Sequence, residues 1–337
     1  MLFPTRLLQG DAEFGPLFGW GNSNGGQLGV AGTANFTVPT QLDAYRRWRK
    51  ASITGHMGIA HAIRADGTLW AAGLKANIGI GGGAGQTTGF VQVGTDTGWT
   101  DVAAGSERAA GIRNGSLYVW GDEVSLTPKK VGSNSDWDKV AAGSEWVYGI
   151  RGGRLYFVPE YDGSPVQIGA ATDWVHVSAA NGLTDMGVVA IREGGLLYSG
   201  TGEGEDTPPT MAQVGSDTGW TDAACNGDGA FAGIRDGMLY TWGSNSQYQT
   251  GLGTNSGSTA TPTLASDLSG WTKVSMGKTN FGAGLRRSRL YTWGRNQACQ
   301  TGLGTSSGYA MVPTQVGIYG GWLDISCGSF AAMGIRA

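Results

Sequence analysis

Two stretches of this chain are near copies: YTWGSNSQYQTGLGTNS from Tyr240 and YTWGRNQACQTGLGTSS from Tyr291, 51 positions apart. A catalytic site is normally built once, whereas a near copy at a fixed interval marks a structural unit stacked on others of its kind. Alignment on tryptophan reveals the whole series. Trp48, Trp99, Trp137, Trp174, Trp220, Trp271 and Trp322 each open a related phrase, at intervals of 51, 38, 37, 46, 51 and 51 residues. The clearest copy is WTDVAAGSERAAGIRNGSLYVWG from Trp99. The interval is too long for leucine-rich units and suits the blades of a β-propeller.

Each phrase reads as short strands. TDVAAG and AAGIR are runs of small residues, and LYVW or LYTW is rich in aromatic and β-branched side chains. Between them stand Asp66-Gly67, Asn114-Gly115, Gly152-Gly153, Gly194-Gly195 and Asp236-Gly237, pairs that suit a type I′ hairpin turn. In LYVW both faces of the strand are apolar, so both must be covered, as they are when a blade lies between two others. The seventh phrase stops at Ala337, before its LYxWG strand. The missing strand stands at the other end of the chain, as Leu17-Phe18-Gly19-Trp20-Gly21. The expected fold is therefore an all-β, seven-bladed propeller over 15–337, closed by an N-terminal strand that completes the last blade beside Gly334–Ala337. Closure removes the free sheet edges. Residues 1–14 form an arm outside the repeats, apolar enough to be docked on something.

Composition narrows the function. The formal net charge is −3, too small for the field that draws a protein to nucleic acid or an anionic membrane. With 61 glycines and 13 tryptophans in 337 residues, the chain is not low-complexity disorder. The cysteines, Cys225, Cys299 and Cys327, are too few and odd in number for a disulfide framework. Cys225 and Cys327 each follow a repeat Trp by five residues and read as small buried side chains. No stretch is long and apolar enough for a membrane helix, and Pro4, Arg6 and Asp11 interrupt the run that an export signal needs. A cytoplasmic or virion location is expected.

WGNSNGGQLG at Trp20–Gly29, the AGIRNGSLYVWG phrases and the spacing resemble the regulator-of-chromosome-condensation repeat family, over nearly all of the chain from Leu17. The resemblance, closest in feel to bacterial and phage members, implies a seven-bladed propeller closed by a terminal strand. Functions in that family range from nucleotide exchange on a small GTPase with chromatin binding to enzyme inhibition and parts of ubiquitin ligases. Here the basic tail and long hairpin insertion that go with chromatin binding and exchange have no counterpart.

The candidate catalytic motifs fail on context. GNSNG at Gly21–Gly25 has no strand-to-helix elbow and no histidine for Ser23. MGKT at Met276–Thr279 lacks the first glycine of a phosphate loop, that place being Thr272. His56, His61 and His176 lack metal-ligand spacing, and Glu203, Glu205 and Asp206 read as a solvated acidic loop. No catalytic, cofactor or metal site is expected.

Three features point instead to binding. Arg64, Arg113, Arg151, Arg192, Arg235, Arg286 and Arg336 follow the Ile or Leu of every phrase and would form a circle of guanidinium groups. They either pair with Asp101, Asp138, Asp222 or Asp324 and with carbonyls between blades, or offer a positive annulus to an acidic partner. YRRWRK at Tyr45–Lys50 is the one dense basic cluster. The segments after WG are long in blades 5, 6, 7 and 1 and short in blades 2 to 4, where Asp122, Glu123, Glu160, Asp162, Glu203 and Glu205 stand. This lopsidedness fits a fixed neighbour, with Gln247, Tyr248, Gln249, Gln297 and Gln300 as candidate contacts and the 247–258 loop dispensable for folding. The expected role is a non-catalytic interaction or assembly propeller, such as a tail, fibre or baseplate component of a phage virion. Its partner would be a protein, a host receptor or a glycan. The alternative is a guanine-nucleotide exchange factor.

Overall fold

The computed structural model describes residues 13–30, 35–54, 58–106, 108–121, 124–144, 146–159, 164–180, 187–201 and 207–337. These form seven four-stranded antiparallel sheets, each one blade, with no helix among the described residues. In each blade the strands run a, b, c, d from the inside outward. Blade 1 is Trp48–Thr54, Ile59–Arg64, Leu69–Gly73 and Val91–Gln92. The a strands of blades 2 to 7 begin at Trp99, Trp137, Trp174, Trp220, Trp271 and Trp322.

The seventh blade closes the ring with two strands from each end of the chain. Its a and b strands are Trp322–Cys327 and Ala331–Arg336; its c and d strands are Leu17–Asn22 and Asn35–Gln41. Leu17 pairs with Ile335, Gly19 with Met333 and Gly21 with Ala331. The N-terminus thus supplies the outer strand as well as the one read from LFGWG. Of the arm, residues 1–12 lie outside the described residues. Phe14 sits under the Arg47 guanidinium at 5.1 Å, and Gly15 exchanges two backbone hydrogen bonds with Trp48, which ties the seam to blade 1.

The core is divided among the blade junctions. Between blades 1 and 2, Ile59, Ile63 and Leu69 pack against Trp99 and Trp120, whose rings meet edge to face at 5.9 Å. The glycine of AGIR makes room for this. A Cβ on Gly233 would stand 2.6 Å from Trp220, and one on Gly111 would stand 2.8 Å from Trp99. Four of the five expected hairpin pairs carry positive φ at both residues, as a type I′ turn requires, among them Asn114 (48°) and Gly115 (73°). Asp66 does not; its carboxylate accepts the backbone N–H of Thr68 at 2.9 Å, an Asx turn instead.

Candidate functional site

Antiparallel pairing brings the start of strand a, the end of strand b and the start of strand c to one end of each blade. Trp99 is therefore opposite Arg113, and Tyr118 is two residues into strand c. The guanidinium lies over both rings, 5.5 Å from Trp99 and 4.4 Å from Tyr118, a cation–π arrangement. It also donates to the Tyr118 hydroxyl at 2.6 Å. Arg64, Arg151, Arg192, Arg235 and Arg336 likewise lie over aromatic rings. Arg286 donates to the Tyr291 hydroxyl at 3.4 Å. All seven arginines are half-buried and share one rim of the ring, at the end where the strand b–c hairpins lie.

Their acidic partners differ from those expected. The carboxylates come from the linkers that precede each Trp: Asp43 for Arg64 (4.0 Å), Asp96 for Arg113, Asp136 for Arg151 (3.4 Å), Asp173 for Arg192 and Asp217 for Arg235. Asp173 is bidentate, at 2.6 and 3.1 Å. Asp101, Asp222 and Asp324 are not their partners, and Asp138 is exposed with no such ion pair among the described residues. The reason is a register shift just after the Trp in all seven a strands. Such a bulge turns the following side chains to the opposite face, away from the arginine.

The second residue after each Trp therefore turns toward the central channel, about 550 Å³ in volume; six of the seven line it, and the seventh, Asp324, is buried against Lys273. Around the ring these residues are Lys50, Asp101, Lys139, His176, Asp222, Lys273 and Asp324. Lys50 pairs with Asp101 at 3.0 Å, His176 Nδ1 lies 3.5 Å from Asp222, and Lys273 pairs with Asp324. The same carboxylates accept a backbone N–H from the next blade: Asp101 from Val140 (3.1 Å), Asp222 from Val274 (2.8 Å) and Asp324 from Ala51 (3.1 Å). Burial alone would raise the Asp324 pKa; the ammonium groups of Lys273 and Lys50 outweigh it and hold the carboxyl below its usual range. Ser52, Ser275 and Ser326 repeat the stitch one turn of the pleat further on, each accepting a backbone N–H from the next blade. Half of the basic run Tyr45–Lys50 is used internally: Trp48 is core, Arg49 donates to the Trp99 carbonyl and Lys50 joins the channel, while Arg46 and Arg47 are exposed.

The long loops interlock at the outer rim. Gln249 and Gln300 are fully buried. Their carbonyls accept the indole N–H of Trp293 and Trp20 in the next blade, both at 3.0 Å. Neither can meet a partner, so the candidate contacts in these loops reduce to the half-buried Gln247 and Tyr248 and the exposed Gln297. The 247–258 loop is also bonded to the next blade, with Gly253 N–H on the Met311 carbonyl at 2.9 Å. His56, Asp122, Glu123, Glu160, Asp162, Glu203, Glu205 and Asp206 lie outside the described residues. His61 is buried, with its Nε2 3.1 Å from the Trp120 indole nitrogen. Among the described residues no three His, Cys, Asp or Glu side chains gather as a metal site, and no helix is long and apolar enough to cross a membrane.

The sequence reading missed the linker carboxylates and the channel ring. Both had a signal: six of seven linkers place an Asp within five residues before the Trp, five of them meeting the arginine, and the i+2 position from the Trp is charged or histidine in every blade.

The model of the Regulator of chromosome condensation (RCC1) repeat matches residues 15–57, 236–281 and 288–335. A stretch of 70 residues is 39% identical to E3 ubiquitin-protein ligase HERC2 of Homo sapiens, over 20% of this chain and 1% of that protein. The chain thus spans about one hundredth of that relative's length. Among solved structures, Prp20p from Saccharomyces cerevisiae, described with its binding to Gsp1p and histones, superposes with a TM-score of 0.81. The identity is 14%, over 96% of this chain and 92% of that one. Human WBSCR16 gives 0.79 at 17% identity, over 96% and 98%. The ring of seven blades thus carries three segments that match the regulator of chromosome condensation repeat, each running from the outer strands of one blade into the inner strands of the next.

Proposed function

We propose that this chain is a non-catalytic interaction propeller that holds a protein partner within a larger assembly through blades 5 to 7. One observation carries the reading. Of the twelve large apolar side chains exposed among the described residues, nine lie on those blades and their linkers: Val38, Leu264, Leu268, Tyr309, Met311, Val312, Ile318, Tyr319 and Phe330. Scattered exposed apolar residues need no explanation, but concentration on one sector marks a contact surface. The same blades carry the long loops, and six of the seven channel residues pair with one another, as Lys50–Asp101, His176–Asp222 and Lys273–Asp324.

The finer placement in a virion tail, fibre or baseplate, against a host receptor or glycan, rests on the sequence resemblance alone. Regulation of a small GTPase is the second reading, favoured by the likeness to Prp20p, whose description names binding to Gsp1p. Cross-linking mass spectrometry of the protein in its native particles or extracts tests the proposal. Cross-links to a second protein should concentrate on blades 5 to 7 and disappear in a Met311→Glu, Val312→Glu double variant. Cross-links spread evenly round the ring would refute it. Accelerated release of labelled nucleotide from a small GTPase would favour the second reading.

A further inference from the structure

The seven blades form an internal comparison series for the arginine site. In blades 1 to 5 the guanidinium is met by a linker carboxylate. In blade 6 Arg286 donates instead to the Ser269 carbonyl at 2.9 Å and to the Tyr291 hydroxyl. Blade 7 has neither arrangement. Its linker reads VGIYGGW where blades 2 and 5 read VGTDTGW and VGSDTGW, so Tyr319 occupies the place of Asp96 and Asp217. Arg336 lies over Phe18 (4.4 Å), Tyr319 (4.9 Å) and Trp322 (5.8 Å), with no ion pair among the described residues.

The cavity at this site is also distinctive. Equivalent pockets between blades occur at Arg113 and Arg192, where Asp96 and Asp173 neutralise the cation. The pocket at Arg336, about 420 Å³, is walled by Phe18, Val38, Pro39, Val316, Tyr319 and Trp322. Tyr319 in its wall is 63% exposed, and Ile318, its neighbour in the chain, is 80% exposed. A guanidinium in a largely apolar cleft is costly unless paired, and a carboxylate with charge-assisted hydrogen bonds is its natural complement.

We propose that this pocket receives an acidic side chain of a partner protein, an Asp or Glu flanked by apolar residues, which supplies in trans the carboxylate that the linker supplies in cis in blades 1 to 5. The inference rests on the interaction reading above and names the chemistry of its contact. The carboxylate meets Arg336 while the flanking apolar side chains cover Val38, Ile318 and Tyr319, which ties affinity to both charge and apolar area.

The probe is the peptide acetyl-Leu-Asp-Leu amide, with acetyl-Leu-Asn-Leu amide as its neutral twin, titrated into the full chain and followed by the indole N–H resonance of Trp322. The acidic peptide should bind about tenfold tighter or more, the difference made by a charge-assisted hydrogen bond. Tyr319→Asp restores the linker of blades 2 and 5 and should abolish this preference while leaving the thermal midpoint at least as high. Arg336→Gln should also abolish it; because that arginine packs on three rings, Tyr319→Asp is the variant that decides if Arg336→Gln fails to fold. Equal binding of the two peptides, or a preference that survives Tyr319→Asp, would overturn the proposal. Displacement of the peptide by equimolar inorganic phosphate would reduce the pocket to a simple anion site and overturn the partner assignment. Tighter probe binding after removal of residues 1–12, which include Asp11, would make this chain its own occupant, with the same result. Native cross-links on blades 5 to 7 that persist in Tyr319→Asp would defeat the pocket and leave the interaction reading standing. Their absence from wild type would defeat that reading whatever the peptides do.

Discussion

His61 is fully buried against Trp120, with the ring centroids 5.1 Å apart. Burial disfavours the imidazolium, and a bond to the Ile78 carbonyl offsets this only in part, so its pKa falls to about 4. A base whose folded pKa lies below its unfolded value binds more protons unfolded than folded. Stability is therefore lost as pH falls from about 6.5 to about 4. His61→Gln keeps an acceptor for the Trp120 indole and does not titrate. Thermal unfolding across that window should show the wild type losing roughly 3 kcal/mol that the variant does not lose; parallel curves would refute the assignment. At this scale the sequence was half legible. The recurrence of Arg after Ile or Leu located the seven guanidinium groups, because strand period and register place like residues alike. It misassigned their partners, because a bulge after each Trp reverses the facing of Asp101, Asp222 and Asp324, and no residue type in WTD announces a bulge.

The strand b–c hairpins show how far turn chemistry can be read and where packing overrides it. Asn114-Gly115 and Asp236-Gly237 adopt the left-handed conformations that their residue types favour. Blade 6 places Arg287 (φ 47°) and Ser288 (φ 58°) in the same conformation without that preference. The turn persists because strands Phe281–Arg286 and Arg289–Arg295 are paired along their whole length, down to Arg286 with Arg289. Both side chains are exposed, so replacing them costs little packing. The double variant Arg287→Asn, Ser288→Gly should raise stability by about 1 kcal/mol in urea unfolding, with an unchanged denaturant slope. A loss of stability would mean that the Arg287 side chain contributes more to the fold than its turn geometry costs. The long strand c–d loops went the other way. Their Gly, Ser, Thr and Asn content read as free surface, yet Gln249, Thr250, Gln300 and Thr301 are fully buried. A glutamine whose backbone carbonyl receives a neighbouring blade's indole N–H has no signature in its own residue type; only the exact repetition of QTGLG in both copies hinted at a constrained role.

For the whole molecule, closure is a problem of parity as well as of topology. Charges alternate round the channel from Asp222 through Lys273, Asp324, Lys50 and Asp101 to Lys139, but seven is odd, and alternation must fail once. It fails between Lys139 and His176, the one place where the ring uses a side chain that can be neutral. The seam between the chain ends carries its full share of this network. Asp324 of blade 7 accepts the Ala51 N–H of blade 1, and Ser326 accepts that of Ile53. Beneath it, Leu17, Ala331, Met333 and Ile335 share a buried cluster with Trp48 and Ile53. The seam is thus as well built as any other junction, and where the chain is cut should matter little provided each blade keeps four strands. A circular permutant that joins Ala337 to Glu13 through a short Gly-Ser linker, with new termini in the exposed stretch Thr254–Gly257, should unfold cooperatively within a few degrees of the wild type. Removing 13–41 instead takes two strands from blade 7 and bares the Met333 and Ile335 cluster, and that chain should aggregate or lose cooperative unfolding. Calorimetry of the two proteins decides the matter: a truncated chain that melts like the wild type would mean that the ring does not depend on its N-terminal strands, and the pairing of Leu17–Gly21 with Ala331–Ile335 would not be what holds it shut.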